Sequence, residues 1–251
     1  MENEPRISHL ETPENRFGSN VEMHVFFMRH GAKDLTGTLT EEGKQQATKF
    51  GEDLEKRDAI KGYSSPVKRA LETVEKVIEG APHDKKLNTR IRAEIGMPPL
   101  SEEFMKKFNE LAKNDPDTAT DWYLNFGKER PDPDTLSPHE VAESLAYVLN
   151  RYSRMAKRLY SGSNIDLVNV THQGLPEALL KEILIRKDKD REITGFEKLE
   201  EIGGALNFAE GMEFSLNIDE KGEKKLSVNF RGQEYSVDMD KLEELAESYE
   251  K

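Results

Sequence analysis

Two extended runs constrain this chain most. Residues 23–28 are apolar except for His24, and the run stops abruptly at Arg29. Residues 165–170, apolar except for Asp166 and Asn169, form a second extended run, which stops at Thr171-His172. Runs of this length and character suit strands buried on both faces of a sheet. Each is followed by helix signals. Thr40 is a natural N-cap, with Glu41 and Glu42 in the first turn, where the helix dipole favours acids. Leu179, Leu180, Ile183 and Leu184 mark a helix after the second run.

Between them the alternation continues. Residues 59–63 read as a short strand. Ser65 is expected to cap the next helix, with Pro66 at its first position and Val67, Leu71, Val74 and Ile78 as its apolar stripe. Residues 87–91 read as another extended run, and residues 101–112 as helix. Ser137-Pro138-His139-Glu140 has the form of a capping box, and a long amphipathic helix follows through Leu159. The order predicts an α/β fold: a three-layer α/β/α sandwich around a mainly parallel central sheet. Met212, Phe214, Leu216 and Ile218 then alternate, as do Leu226, Val228 and Phe230, followed by Tyr235 and Val237. That pattern predicts a C-terminal antiparallel meander, with Asp240 capping a final helix.

In domain terms, residues 1–20 read as a flexible arm and residues 21–251 as a single domain. Residues 114–136 carry six acids against two bases and several prolines, and read as an acidic loop insertion and a candidate lid. Residues 205–251 hold the meander and last helix, either extending the sheet or standing apart from it.

Composition excludes several classes of function. The net charge of −12 disfavours non-specific nucleic-acid binding and anionic membrane surfaces. With no cysteine, disulfides and thiolate metal sites are excluded. No apolar run reaches membrane-spanning length, and the first residues lack the basic and apolar segments of a secretory signal. A cytoplasmic location is the expectation.

Ligands of parallel α/β sheets bind beyond the carboxyl ends of the strands. Arg29-His30-Gly31 and His172 fall at such ends, and Arg69 falls in the first turn after another strand. Two histidines and two arginines converging there suit phosphoryl transfer. An unprotonated His30 would be the nucleophile, its pKa lowered by the neighbouring guanidinium groups. Arg29 and Arg69 would grip phosphate oxygens through their planar forks. Gly31 would permit a sharp turn. His172, if protonated, would donate to the equatorial oxygens. A leaving alkoxide also needs a proton. Glu94 is the favoured donor, ahead of Asp34, Glu102 and Glu103.

Four pieces of the chain resemble the histidine phosphatase superfamily, in the branch that includes phosphoglycerate mutases. They are Arg29-His30-Gly31, the stretch from Leu39 through Ala47, the stretch from Ser64 through Thr73, and Val170-Thr171-His172. The resemblance covers roughly residues 22–185. It implies a phosphohistidine intermediate on His30, a phosphate pocket of Arg29, Arg69 and His172, and no metal or organic cofactor. Ala32-Lys33-Asp34 and Thr171 depart from the usual pattern around the two histidines. The expected partner is a small phosphorylated substrate, or a phosphoprotein, with neither nucleic acid nor membrane. The leading reading is a phosphomonoester hydrolase. The alternatives are a phosphoglycerate mutase-type phosphotransferase and an inactive phospholigand-binding module.

Taken singly, each residue has a blander reading. A histidine at a strand end is more often structural, Glu94 is one of many solvated acids, and Ser65-Pro66 alone is a helix start.

Overall fold

The protein is described by a computed structural model covering residues 17–113, 115–188 and 191–250. Along the chain, β1 (Val21–Arg29), α1 (Glu41–Glu52), β2 (Ala59–Ser64), α2 (Lys68–Gly80) and β3 (Lys85–Ile91) come first. A 3-10 turn (Ala93–Ile95), α3 (Glu102–Ala112), α4 (Pro116–Leu124), α5 (Pro138–Ala156), β4 (Asn164–Thr171) and α6 (Leu175–Ile183) follow. The hairpin β5 (Leu184–Asp188) and β6 (Arg191–Thr194), the meander β7 (Gly211–Ile218), β8 (Lys224–Phe230) and β9 (Gln233–Val237), and α7 (Met239–Tyr249) complete it.

All nine strands join one sheet, in the order β3-β2-β4-β1-β7-β8-β9-β5-β6. It is a mixed sheet. The block β3-β2-β4-β1 is parallel, and everything beyond β1 is antiparallel. The meander therefore extends the main sheet, because β7 pairs with β1 from Val21 to Met28. That pairing removes the open edge β1 would otherwise present.

Two apolar layers explain the uninterrupted character of β1. Phe26 and Met28 pack with Ala47, Ala70, Val74 and Val77 of α1 and α2. Val25 and Phe27 face the opposite layer with Leu145, Leu149, Leu179 and Leu245 of α5, α6 and α7. Alternate side chains of one strand thus enter different cores.

Several local expectations shift. α2 begins at Lys68 with Val67, not Ser65, as its N-cap and no side-chain cap; the Ser65 hydroxyl accepts from the Val67 N–H at 3.4 Å. Asp238, not Asp240, caps α7 by accepting from the Lys241 N–H. Residues 115–136 are not simply a loop: Asp115 caps α4 through the Asp117 and Thr118 N–H groups. Trp122 stacks on Phe104 of α3 with ring centroids 5.1 Å apart. Asn114 lies outside the described residues, as do residues 1–16 of the expected arm. Residues 17–20 of that arm are tied down, with the Gly18 N–H donating to Leu159 O at 2.9 Å. No helix among the described residues is long and apolar enough to cross a membrane.

Candidate active site

Strand register builds the site. In the β1–β4 pair, Arg29 faces Thr171, so His30 and His172 leave adjacent strand ends together. The His30 N–H donates to Thr171 O at 3.1 Å and the Ser65 N–H to Val170 O at 3.0 Å. These bonds carry the sheet one residue further and align three segments distant in sequence.

Helix α1 then presses on the turn after β1. A Cβ on Gly31 would lie 2.4 Å from Gly43 O, so glycine is required there by close packing rather than by a special φ. The Gly31 N–H donates to Thr73 Oγ1 at 3.1 Å, and Thr73 Oγ1 donates to Arg69 O at 2.7 Å. The buried Thr73 thus couples the turn after β1 to the helix that carries Arg69.

His30 is 4% exposed and His172 is 1% exposed, with ring centroids 5.4 Å apart. His30 Nδ1 lies 2.8 Å from Gly31 O. A carbonyl only accepts, so Nδ1 bears the proton and Nε2 keeps its lone pair. Arg69 Nε donates to that Nε2 at 2.9 Å. Arg69 Nη2 is 3.5 Å from His172 Nδ1, and His172 Nε2 is 3.0 Å from Ser65 Oγ. Arginine only donates, so His172 accepts at Nδ1 and donates from Nε2 to the Ser65 hydroxyl. Arg29 Nη1 donates to Leu206 O at 2.9 Å, while its buried Nε has no hydrogen-bond partner.

Burial, more than the arginines, sets the protonation of both rings. It pushes His30 down to about 4, with Arg69, Arg29 and Lys33 adding to the shift and Gly31 O opposing it. It pushes His172 down to about 3, reinforced by His30, Arg69 and Arg29. His30 is therefore neutral, as expected. His172 is held neutral as well, so the proton it offers here is the one on Nε2. Arg29 falls to about 10, chiefly through burial, and stays charged at neutral pH.

Residues 25–196 match the family model of the histidine phosphatase superfamily, branch 1. The chain belongs to that superfamily. Membership supports a phosphatase, and several solved structures are similar to the chain. One is mycobacterial hydrolase 2, at 17% identity and a TM-score of 0.54, covering 91% of this chain and 98% of that one. A second is mycobacterial glucosyl-3-phosphoglycerate phosphatase, at 16% identity and a TM-score of 0.53, covering 82% of this chain and 97% of that one. A third is a proposed alpha-ribazole-5'-P phosphatase from Escherichia coli, at 16% identity and a TM-score of 0.50, covering 84% and 97%. At such identities these likenesses show the fold alone. No curated protein matches the chain.

In this histidine phosphatase the four expected pocket residues come together, but the carboxyl candidates do not join them. Glu94 sits on the 3-10 turn that packs against α5, and its Oε1 lies 3.6 Å from Arg151 Nη1. Asp34 accepts from the Thr36 N–H, Thr36 Oγ1 and Thr38 N–H at 2.8, 2.6 and 3.0 Å, and these bonds hold it below the usual carboxylate range. Such a group releases its proton too readily to serve as an acid. Glu102 and Glu103 lie exposed in the first turn of α3.

Two further residues shape the pocket and were not anticipated. Glu177 of α6 is fully buried. It accepts from the Gly174 N–H at 2.7 Å and the Leu206 N–H at 2.8 Å, fixing the segment whose carbonyl receives Arg29. Its signal was faint: an acid three residues after Gly174 completes half a capping box. Phe208 lies over the Arg29 guanidinium at 3.9 Å, with its centroid 5.9 Å from that of His30. Nothing in the sequence around it marks a site.

Proposed function

We propose that this phosphatase hydrolyses phosphomonoesters through a phosphohistidine on His30. One observation carries the reading: a neutral imidazole with its Nε2 lone pair turned to Arg69. It lies beside guanidinium groups that make no ion pair with a carboxylate among the described residues. Arg69 donates to the same nitrogen that must attack, so a phosphate oxygen taking over that donor frees the lone pair as the substrate arrives. The unpartnered Arg29 Nε supplies another donor, and the forked arginines suit tetrahedral oxyanions.

In the first step His30 Nε2 bonds to phosphorus and the ester P–O bond breaks. The departing alcohol takes a proton from a carboxylic acid. In the second step that carboxylate removes a proton from water, the water oxygen attacks phosphorus, and the P–N bond breaks to release phosphate. The bond from Nδ1–H to Gly31 O holds the tautomer throughout. A bound dianion would raise the pKa of His172 and let it donate to the equatorial oxygens as charge spreads there.

Glu94 is our candidate acid. Its turn is joined to the pocket, since Thr171 Oγ1 donates to Ile95 O at 2.7 Å. To act, the carboxyl must leave Arg151 and swing toward the leaving group. Glu94→Gln should slow alkyl esters at least about tenfold more than aryl esters, because poorer leaving groups need the proton more. Equal slowing would remove Glu94 from the mechanism. Rapid quenching with a radiolabelled ester should trap an acid-labile, base-stable phosphoenzyme, and its absence during turnover would refute the covalent step. A small phosphorylated substrate and a cytoplasmic setting belong to this reading.

A further inference from the structure

An apolar groove begins where the catalytic strand ends. Met97, Pro98, Leu100, Phe104, Met105 and Leu175 line it together with Gln173, the residue after His172, and no charged side chain takes part. Two bonds fix its position. Thr171 Oγ1 anchors the Ile95 carbonyl, two residues before Met97, at 2.7 Å. Gln173 Nε2 donates to Thr120 Oγ1 at 3.1 Å. The Tyr123 hydroxyl donates to Leu136 O at 3.1 Å, so both polar side chains of the wall are engaged elsewhere. What remains is an apolar surface that starts one residue beyond His172.

We infer that this groove holds the leaving group, and that the substrates are monoesters of short apolar alcohols. The inference rests on the phosphatase reading and narrows its substrate class. A leaving group with a second anion would enter a wall without a cation to pair it, where an unpaired charge is costly. Size sets a further limit. The groove encloses about 70 Å³, roughly half the 150 Å³ of a dry cavity that accommodates benzene. A short alkyl chain fits as the groove stands. An aryl group requires Met97 and Met105 to swing aside, as flexible thioethers can.

The test is a chain-length series with two readouts. For methyl, ethyl, propyl and butyl phosphate, kcat/KM should rise about fourfold per methylene until the groove is full. Glycerol 3-phosphate and 3-phosphoglycerate should fall at or below methyl phosphate. The matching alkylphosphonates, which cannot be hydrolysed, should bind with Kd values that tighten in parallel. Met97→Gln keeps the length and flexibility of a half-exposed residue but adds a polar end, and should flatten both slopes. Turnover with no chain-length dependence overturns the groove and leaves the phosphatase reading standing. Phosphonate affinities that tighten with length while no ester turns over sustain the groove and overturn the phosphatase reading. Flat phosphonate affinities, or unchanged slopes in Met97→Gln, overturn the groove.

Discussion

Strands β1 and β4 carry a cluster of histidine and arginine at each end, and the two clusters are neutralised differently. At the amino end, Arg57 Nη1 donates to Asp166 Oδ1 and Oδ2 at 3.0 and 3.2 Å. His83 Nε2 lies 3.0 Å from Asp166 Oδ2, and His24 Nδ1 lies 2.6 Å from Glu213 Oε1. Every basic group there has a carboxylate. At the carboxyl end, Arg29 bonds a backbone carbonyl and Arg69 bonds an imidazole. The same residue types thus make a closed structural knot at one end and an anion-receptive pocket at the other. What separates them is where the carboxylates sit, not how many basic groups are present.

The comparison breaks most sharply under alanine substitution. His30→Ala should lower kcat by at least roughly 10⁴-fold, the scale of losing a nucleophile, while Tm holds or rises. Removing the imidazole forfeits its bonds with Gly31 O and Arg69 Nε but also relieves the desolvation of a buried ring, and it strands no buried carboxylate. Asp166→Ala should do the opposite. It removes the carboxylate that takes two bonds from the buried Arg57, which keeps only Glu55 at 3.1 Å and Glu213 at 4.0 Å, at a cost of about 3 kcal/mol, while activity per folded molecule is retained. Denaturant melts and assays on both variants decide the matter; a His30→Ala protein that fails to fold would erase the distinction between the two ends.

Acid titration should separate His30 from Asp166 by sign. His30 is held near 4 when folded against about 6.5 when unfolded. Between those values the unfolded chain binds more protons, so stability falls as pH drops from about 6.5 to 4. For His30 this is worth roughly 3 kcal/mol across the window. His172, held near 3, adds to the loss and extends it lower. Asp166 runs the other way. Burial raises it to about 6 from 3.8, against the pull of Arg57, so the folded state binds more protons across that window and gains stability as pH falls. Asp166→Asn should therefore show a steeper acid loss than the wild type, and His30→Ala a shallower one. Parallel profiles in all three proteins would contradict the assignment.

The carboxyl-end cluster was legible in the sequence because its residues announce themselves in order. Arg29-His30-Gly31 and Thr171-His172 stop apolar runs, and Arg69 sits early in an apolar-striped helix. The amino-end knot was not legible. Arg57 and Asp166 are 109 positions apart, and nothing nearby in the sequence explains the Asp166 carboxylate within β4. Sheet extension by the meander was equally hidden, since alternation fixes which face is buried but not which edge a strand will find. Ser65 misled for a physical reason. Its hydroxyl meets His172 Nε2 at 3.0 Å and accepts from the Val67 N–H at 3.4 Å, but the N-cap itself falls two residues later, at Val67. Glu94 was sound as a residue type at a plausible place, but its direction depends on Arg151, 57 positions later in the chain.

Phe208 offers the finest test of the carboxyl end. Its ring covers the Arg29 guanidinium at 3.9 Å yet remains 37% exposed. The backbone around it is rigidly held. The Ala205 N–H donates to Asp117 at 3.1 Å, the Leu206 N–H to Glu177 at 2.8 Å, and the Ala209 N–H to His30 O at 3.2 Å. The ring can therefore be trimmed without releasing the segment. A face-on aromatic attracts the cation and also excludes water from it, together worth about 0.5–2 kcal/mol. Phe208→Ala wets Arg29, weakening its hold on a phosphate oxygen. Competitive inhibition by inorganic phosphate should loosen about 2- to 30-fold over that range. Phe208→Leu, which restores apolar bulk without the π face, should recover part of the loss. The amino-end knot has no such exposed cover, so neither substitution should change the Asp166-dependent part of the acid profile. Phosphate inhibition unchanged in Phe208→Ala would mean that Arg29 is already as wet as it can be, and that the ring merely rests upon it.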